Sequence, residues 1–199
     1  MTSFQSIILA SSSPYRRDQL NQLGFPFIQF SPNIDETAKF GESAKVVACR
    51  LAKEKAYCAQ IQHPNAIIIA SDQVAELEGK QLGKPLSTSN ARKQLKACSG
   101  KPVTFYTSLC VMHHERTLED CTSTEVLFRE LSSEAIDAYI KKDRPLHCAG
   151  SFKCESLGIA LFETITSDDP TALIGLPLLS VNRFLLKLGF DLLHPNCAS

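Results

Sequence analysis

Ile7-Ile8-Leu9-Ala10-Ser11-Ser12-Ser13-Pro14-Tyr15-Arg16-Arg17 is the stretch on which the reading of this chain turns. Its first four residues form a short apolar run, the pattern of a buried strand. Ser13 suits a helix N-cap, and Pro14 suits the first helical position, where an N–H would have no helical partner anyway. Leu20 and Leu23 continue a helical stripe and Gly24 supplies a stop. Strand, hydroxyl-rich turn and helix start therefore follow one another without a linker. A helix N-terminus presents unpaired N–H groups and partial positive charge. Two arginines in the first helical turn oppose that dipole, and an anion held there would offset the misfit. The turn reads either as a phosphate cradle or as an ordinary strand-to-helix turn with a solvated arginine pair, and spacing alone leans to the second.

Outward from this stretch, strands and helices alternate. Residues 25–30 read as a second strand, broken by Ser31-Pro32-Asn33-Ile34-Asp35-Glu36. The adjacent carboxylates of that loop suit a metal or acid/base site, or simply a solvated turn. Residues 43–60 hold no Gly or Pro and place Val47, Leu51 and Cys58 at helical spacing. Arg50, Lys53 and Tyr57 share another face of the same helix, from which Lys53 can point into a cleft or into solvent. Ala66-Ile67-Ile68-Ile69-Ala70 is apolar throughout, as a strand covered on both faces should be. It is read as ending in Ser71-Asp72-Gln73, and the carboxyl end of a central strand is where open α/β sheets handle ligands. A small hairpin over residues 74–82 leads to Gly83-Lys84-Pro85. A helix capped by Ser87 or Ser89 runs to Cys98, and a long hairpin over residues 103–128 turns at His113-His114-Glu115-Arg116, a solvated tip. A helix starts at Ser133. The glycine-punctuated loop 149–158 reads as leading into a cleft and then into a strand over 159–162, and a last helix runs from about Leu178 to Leu188.

Composition narrows the function. The 199 residues suffice for one domain with a substantial core. Lys+Arg and Asp+Glu both number 21, so the balance gives no support for non-specific nucleic-acid binding, which needs excess positive charge. No apolar run approaches the ~20 residues that span a bilayer, and Met1-Thr2-Ser3-Phe4-Gln5 carries no basic leader of an export signal. Cys49, Cys58, Cys98, Cys110, Cys121, Cys148, Cys154 and Cys197 form no Cys-x-x-Cys pair and no zinc-spaced cluster. They read as reduced thiols of a cytoplasmic protein.

Seven stretches, taken in order, resemble one family. Ser11-x-Ser13-Pro14-x-Arg16-Arg17, Asp35-Glu36, Arg50-Leu51-Ala52-x-x-Lys55-Ala56, Ser71-Asp72-Gln73, Gly83-Lys84-Pro85, Ser99-Gly100 and Asp168-Asp169-Pro170-Thr171-Ala172-Leu173-Ile174-Gly175-Leu176-Pro177 follow the order of Maf-like nucleoside triphosphate pyrophosphatases. Each motif is weak alone, while the ordered set is specific and covers most of the chain. Tyr15, Gln73 and Glu155 stand where the 7-methyl-GTP subgroup carries an aromatic residue, Gln and Glu. The thymidine/uridine triphosphate subgroup carries Arg, Thr and Gln there. The subgroup's usual aromatic is tryptophan, and Tyr15 is smaller.

The resemblance implies an α/β fold: an elongated mixed sheet flanked by helices, with a cleft between two lobes, as in inosine triphosphate pyrophosphatases. It implies cleavage between the α- and β-phosphates and a divalent cation, Mg2+ or Mn2+, held by Glu36 and Asp72. Asp72 is the matched proton acceptor. Lys53, Lys84 and Arg17 would stabilise phosphate charge, with Ser11, Ser13 and Arg16 completing the cradle. A cationic 7-methylguanine suits the face of Tyr15. Its adjacent N1–H and exocyclic amine suit a carboxylate such as Glu155, and Gln73 would bond base or ribose. The partner expected is a nucleoside triphosphate, with neither nucleic acid nor membrane, and relatives form homodimers. The competing expectations are a dTTP/UTP pyrophosphatase and a non-catalytic, nucleotide-binding regulator of septation.

Overall fold

The computed structural model describes residues 6–193, so the N-terminal pentapeptide and Cys197 lie outside the described residues. Strand β1 (Ile7–Ala10) leads through the serine turn into helix α1 (Pro14–Asn21). Next come β2 (Ile28–Phe30), α2 (Ala44–Gln62), β3 (Ile67–Leu77), β4 (Lys80–Leu82) and α3 (Thr88–Cys98). The hairpin β5 (Pro102–His113) and β6 (Arg116–Phe128), then α4 (Ser133–Asp143), β7 (Phe162–Ser167) and α5 (Leu178–Lys187), complete the order. Helices α1 to α4 each start behind a serine (Ser13, Ser43, Ser87, Ser132) whose hydroxyl accepts an N–H three residues on. Such a cap satisfies a donor that the helix itself leaves unpaired.

Among the described residues one mixed sheet runs β2-β1-β3-β5-β6-β7, with β4 added beside β3. β1 is parallel to β2 and β3, and the β3–β5, β5–β6, β6–β7 and β3–β4 pairs are antiparallel. The strands β3, β5 and β6 are long, and two apolar bodies form along them. In the first, Ile7, Leu9, Ile67 and Ile69 face Leu20 of α1 and Val181, Phe184 and Leu185 of α5. The opposite face, Ile8, Ala10, Ile68 and Ala70, packs on the small side chains Ala52, Ala56 and Ala59 of α2. In the second, Val103, Phe105, Val126 and Phe128 pack against Leu95 of α3 and Ile136, Tyr139 and Ile140 of α4. Phe152 joins this body edge-on to Phe105, Phe128 and Phe162.

Between the two bodies the sheet is polar. β3 does not end in Ser71-Asp72-Gln73, as the sequence suggested, but runs on to Leu77. Its polar middle, Ser71-Asp72-Gln73, lies opposite Leu109, Ser108 and Thr107 of β5. β3 also changes neighbour here: its outer edge pairs with β1 up to Ile69 and with β4 from Ala75. The stretch between is the kind of crevice where α/β sheets receive ligands. Two further expectations shift. The second strand is only three residues long. Residues 157–161 form a 3-10 turn that buries Leu161 in the second body, and the strand predicted there begins only at Phe162. Among the described residues no helix is long and apolar enough to cross a membrane.

Candidate active site

Where β3 changes neighbour, a hollow of about 720 Å³ opens, a size that takes a nucleotide. Ser11, Ser13, Tyr15, Arg16, Glu36, Asp72, Gln73, Lys84 and Glu155 line it. Lys53 and Arg17 do not. Lys53 points outward from α2 to Glu119, 3.1 Å away, with both side chains about half exposed. Arg17 pairs with its neighbour Asp18 at 2.9 Å on the exposed side of α1.

Lys55 takes the place expected of Lys53. It follows Leu51 and Ala52 by four and three residues and precedes Ala59 by four, so it falls on the apolar stripe of α2 and is buried. A buried ammonium needs paired charge. Lys55 Nζ has it, 2.5 Å from Asp72 Oδ1 and 2.6 Å from Glu36 Oε1. Lys84 Nζ, set by the β3–β4 hairpin, stands 3.7 Å from Glu36 Oε2. Burial pushes the Glu36 carboxyl up, but the hydrogen bond and charge of Lys55, then Lys84 and Arg16, outweigh it and hold the group below its ordinary range. A lysine on an apolar stripe was the signal available in the sequence.

The loop carrying Glu36 is strapped to α2. Glu42 accepts from Arg50 Nε and Nη2 at 2.6 and 2.8 Å and from the Lys39 amide at 2.7 Å. Gln81 Nε2 of β4 donates to the Glu42 carbonyl at 2.9 Å.

The serine turn offers fewer amides than a bare helix start would. Ser11 N–H bonds the Leu9 carbonyl, Ser13 N–H the Ser11 hydroxyl, Arg16 N–H the Ser13 hydroxyl and Arg17 N–H the Ser13 carbonyl. Pro14 has none. An anion here would depend chiefly on side chains, and Arg16 is the one aimed inward. Its Nε donates to the Gly175 carbonyl at 2.7 Å and its Nη1 reaches the Ser11 hydroxyl at 3.4 Å. Burial pulls its pKa down, opposed by Asp72 and Glu36, and a guanidinium stays charged.

Sequence reading also missed what residues 171–176 contribute. Their carbonyls form a bracket behind the hollow. Gln19 donates to Thr171 and Leu176, Ser71 to Gly175, and Thr107 to Ala172. Gln73 Nε2 is shared among Thr107 Oγ1, Ala172 O and Leu173 O at 3.0–3.1 Å. Only the Gln73 carbonyl oxygen is therefore left for a ligand. Buried Asp169 fixes the bracket by accepting from the amides of Thr171 and Leu179, both at 2.9 Å. Each buried hydroxyl or amide in this set would cost about 1–3 kcal/mol if left unpaired, so the segment and the sheet hold each other in register.

Tyr15, next to Arg16 in α1, meets the loop after α4. Its phenol hydrogen-bonds Cys148 and lies near Glu155. Burial first, then these two neighbours, push it up to about 12, so it stays protonated at neutral pH. Cys154 Sγ lies 3.6 Å from Glu155 Oε2, and burial, reinforced by Glu155, pushes that thiol up to about 12. A weakly ionised thiol is a poor nucleophile, and Cys154 packs against the second apolar body.

The residues fit a hard divalent cation in one respect. Glu36 and Asp72 already converge on a shared positive group, Lys55 Nζ. Two carboxylates completed by substrate phosphate oxygens form a usual set for Mg2+ or Mn2+. Among the described residues no group of three or more His, Cys, Asp or Glu could hold a metal ion, so phosphate oxygens and water would complete the shell.

A family model described as "Maf-like protein" matches residues 6–188. A protein of Saccharophagus degradans named 7-methyl-GTP pyrophosphatase is 50% identical over 188 residues, covering 94% of this chain and 95% of that one. One of the same name from Xanthomonas oryzae pv. oryzae is 46% identical over 186 residues, covering 94% and 98%. The solved structure of a HAM1 protein from Coxiella burnetii covers 92% of this chain and 100% of its own, at 17% identity and a TM-score of 0.51, and shares the fold.

Proposed function

Because this chain belongs to the Maf-like protein family, we propose that it is a nucleoside triphosphate pyrophosphatase that hydrolyses 7-methyl-GTP to 7-methyl-GMP and diphosphate. The observation that carries this reading is one hollow lined by two chemically different groups of side chains. Arg16, Lys55, Lys84, Glu36 and Asp72 form a charged cluster, and Tyr15 lies near Glu155. The relatives' shared name supports the same substrate.

Water attacks the α-phosphorus and the bond to the bridging oxygen breaks, releasing diphosphate. Asp72 Oδ1 is engaged by Lys55, leaving Oδ2 to orient the water and accept its proton. Lys55 holds Asp72 and Glu36 at fixed separation and offsets their repulsion of the triphosphate. Arg16 and Lys84 bind phosphate oxygens and stabilise charge on the departing diphosphate. The hydroxyls of Ser11 and Ser13, each already an acceptor within the turn, have protons to donate to the same oxygens. A divalent cation held by Glu36 and Asp72 would neutralise the phosphate tail and lower the pKa of a bound water. At the base end, a cationic 7-methylguanine stacks on Tyr15 and donates N1–H and its amine to Glu155. The Gln73 oxygen accepts from base or ribose.

Diphosphate release from 7-methyl-GTP, GTP, UTP and dTTP with Mg2+ or Mn2+ tests the reading. The 7-methyl nucleotide should have the highest kcat/KM. Asp72→Asn should lower kcat by about 10²–10⁴-fold, the range of a lost general base, while nucleotide still binds. Preference for UTP or dTTP would overturn the base assignment. Binding without turnover in the unmutated protein would favour the septation-regulator reading.

A further inference from the structure

Glu155 rides on a segment without regular structure, so something else must aim its carboxylate. We infer that Asp143 and Ser156 are positioning residues that lock the Glu155 loop onto the last turn of α4, and thereby set the preference for the guanine edge. The inference rests on the base-end reading above.

Upstream, Phe152 is sunk in the aromatic cluster of the second apolar body. Downstream, Gly158 N–H and Ser156 N–H both return to the Lys153 carbonyl, at 3.0 and 3.3 Å. A Cβ at Gly158 would lie 2.3 Å from that oxygen, so only glycine permits the closure. These contacts shape the loop, and α4 fixes its orientation. The Ser156 hydroxyl donates to Asp143 Oδ1 at 2.5 Å, Lys153 Nζ donates to the Asp143 carbonyl at 2.7 Å, and Lys153 N–H donates to the buried Tyr139 phenol at 3.0 Å. The Tyr139 phenol also faces the Asp143 side chain. Glu155 thus sits between two residues, 153 and 156, each tied to the same helical turn. Asp143 is not among the residues lining the hollow; its charge reaches the Tyr15 phenol, and its hydrogen bonds reach Glu155 through the loop.

The test compares Ser156→Ala, Asp143→Ala and Asp143→Asn with Glu155→Gln, using KM and kcat for 7-methyl-GTP and UTP. Glu155→Gln should narrow the preference for 7-methyl-GTP. Ser156→Ala and Asp143→Ala should narrow it in the same direction, raising KM for 7-methyl-GTP by about three- to tenfold with kcat held, the scale of one hydrogen bond. Asp143→Asn keeps an acceptor for Ser156 and should retain most of the preference. Adding Ser156→Ala to Glu155→Gln should change little further, since no carboxylate remains to be aimed. If Glu155→Gln shifts the preference and Ser156→Ala does not, the clamp is wrong and the base-end reading stands. If Ser156→Ala impairs both nucleotides equally, its role is structural only and the clamp is again wrong. If Glu155→Gln shifts nothing, the base-end reading falls and takes the clamp with it. Ser156→Ala removes a single exposed hydrogen bond, so the test survives should Asp143→Ala fail to fold.

Discussion

Asp72 sits in the middle of an eleven-residue strand, opposite Ser108, and Lys55 on the buried stripe of a nineteen-residue helix. Glu155, which lines the same hollow, has no ladder or helix of its own, and its loop is held to α4 by a few hydrogen bonds from Lys153 and Ser156. Asp72 and Lys55 are built into regular structure, where burial forces them to pair. Glu155 is hung on a loop, where a side chain can change without disturbing a core. The difference suggests that the phosphate end should respond to mutation in both stability and turnover, and the base end mainly in KM.

The largest effect expected is at Lys55. Removing one member of a buried ion pair costs ~3–5 kcal/mol, and because Glu36 is half exposed the lower end applies. For a chain of this size that is a fall in Tm of roughly 6–12 °C, with kcat reduced in Lys55→Met. Lys53→Met, two residues away on the exposed face, should stay within about 0.5 kcal/mol. Equal effects from the two lysines in thermal melts would erase the contrast between buried and exposed faces of α2.

Smaller is the effect at Tyr15. Loss of the ring in Tyr15→Ala should raise KM for 7-methyl-GTP by about tenfold, the equivalent of a cation–π contact of ~1–2 kcal/mol. Tyr15→Phe keeps the ring and should stay close to the parent. Because the phenol is pushed up to about 12, its ionisation should not shape the activity profile between pH 6 and 10. A large fall in kcat in either variant would blur the division between the two ends.

Smallest and most conditional is the acid response of the Glu36 loop. The hydrogen bond from Arg50, then that from the Lys39 amide, hold the Glu42 carboxyl at about 2, below its ordinary 4.5. Its contribution is complete above 4.5 and declines as pH falls toward 2. Tm measured from pH 6 to pH 3 should therefore fall more steeply for the parent than for Glu42→Gln, and the gap between them should close in acid. A gap independent of pH would show that Arg50 does not strap this loop through charge.

Much of the scaffold was legible because its signals are local. Serine caps, a proline at the first helical position and apolar runs at strand or helix spacing marked most elements, and the ordered motifs marked most of the hollow. Errors arose where the deciding partner is distant in sequence. Ser71-Asp72-Gln73 resembled a strand end because its polar partners, Thr107 and Ser108, are defined only by register with β5. Arg16 and Arg17 are equivalent by composition, and what separates them is a carbonyl 159 residues away. Lys53 and Lys55 could have been distinguished by periodicity alone, since Lys55 follows Leu51 by four residues and Lys53 does not share that stripe. Cys148 beside Tyr15 and the clamp on Glu155 had no signature in the chain at all.

The oxygen of Gly175 takes hydrogen bonds from Arg16 Nε and Ser71 Oγ, at 2.7 and 2.8 Å. A peptide oxygen is common to all twenty residue types, so no codon change can delete this acceptor. It can be lost only by rerouting the main chain. The route depends on a φ of +129°, which side-chain-bearing residues rarely adopt. A guanidinium lining the hollow is thus anchored to an atom that mutation cannot remove, and the vulnerability moves to a residue with no functional group.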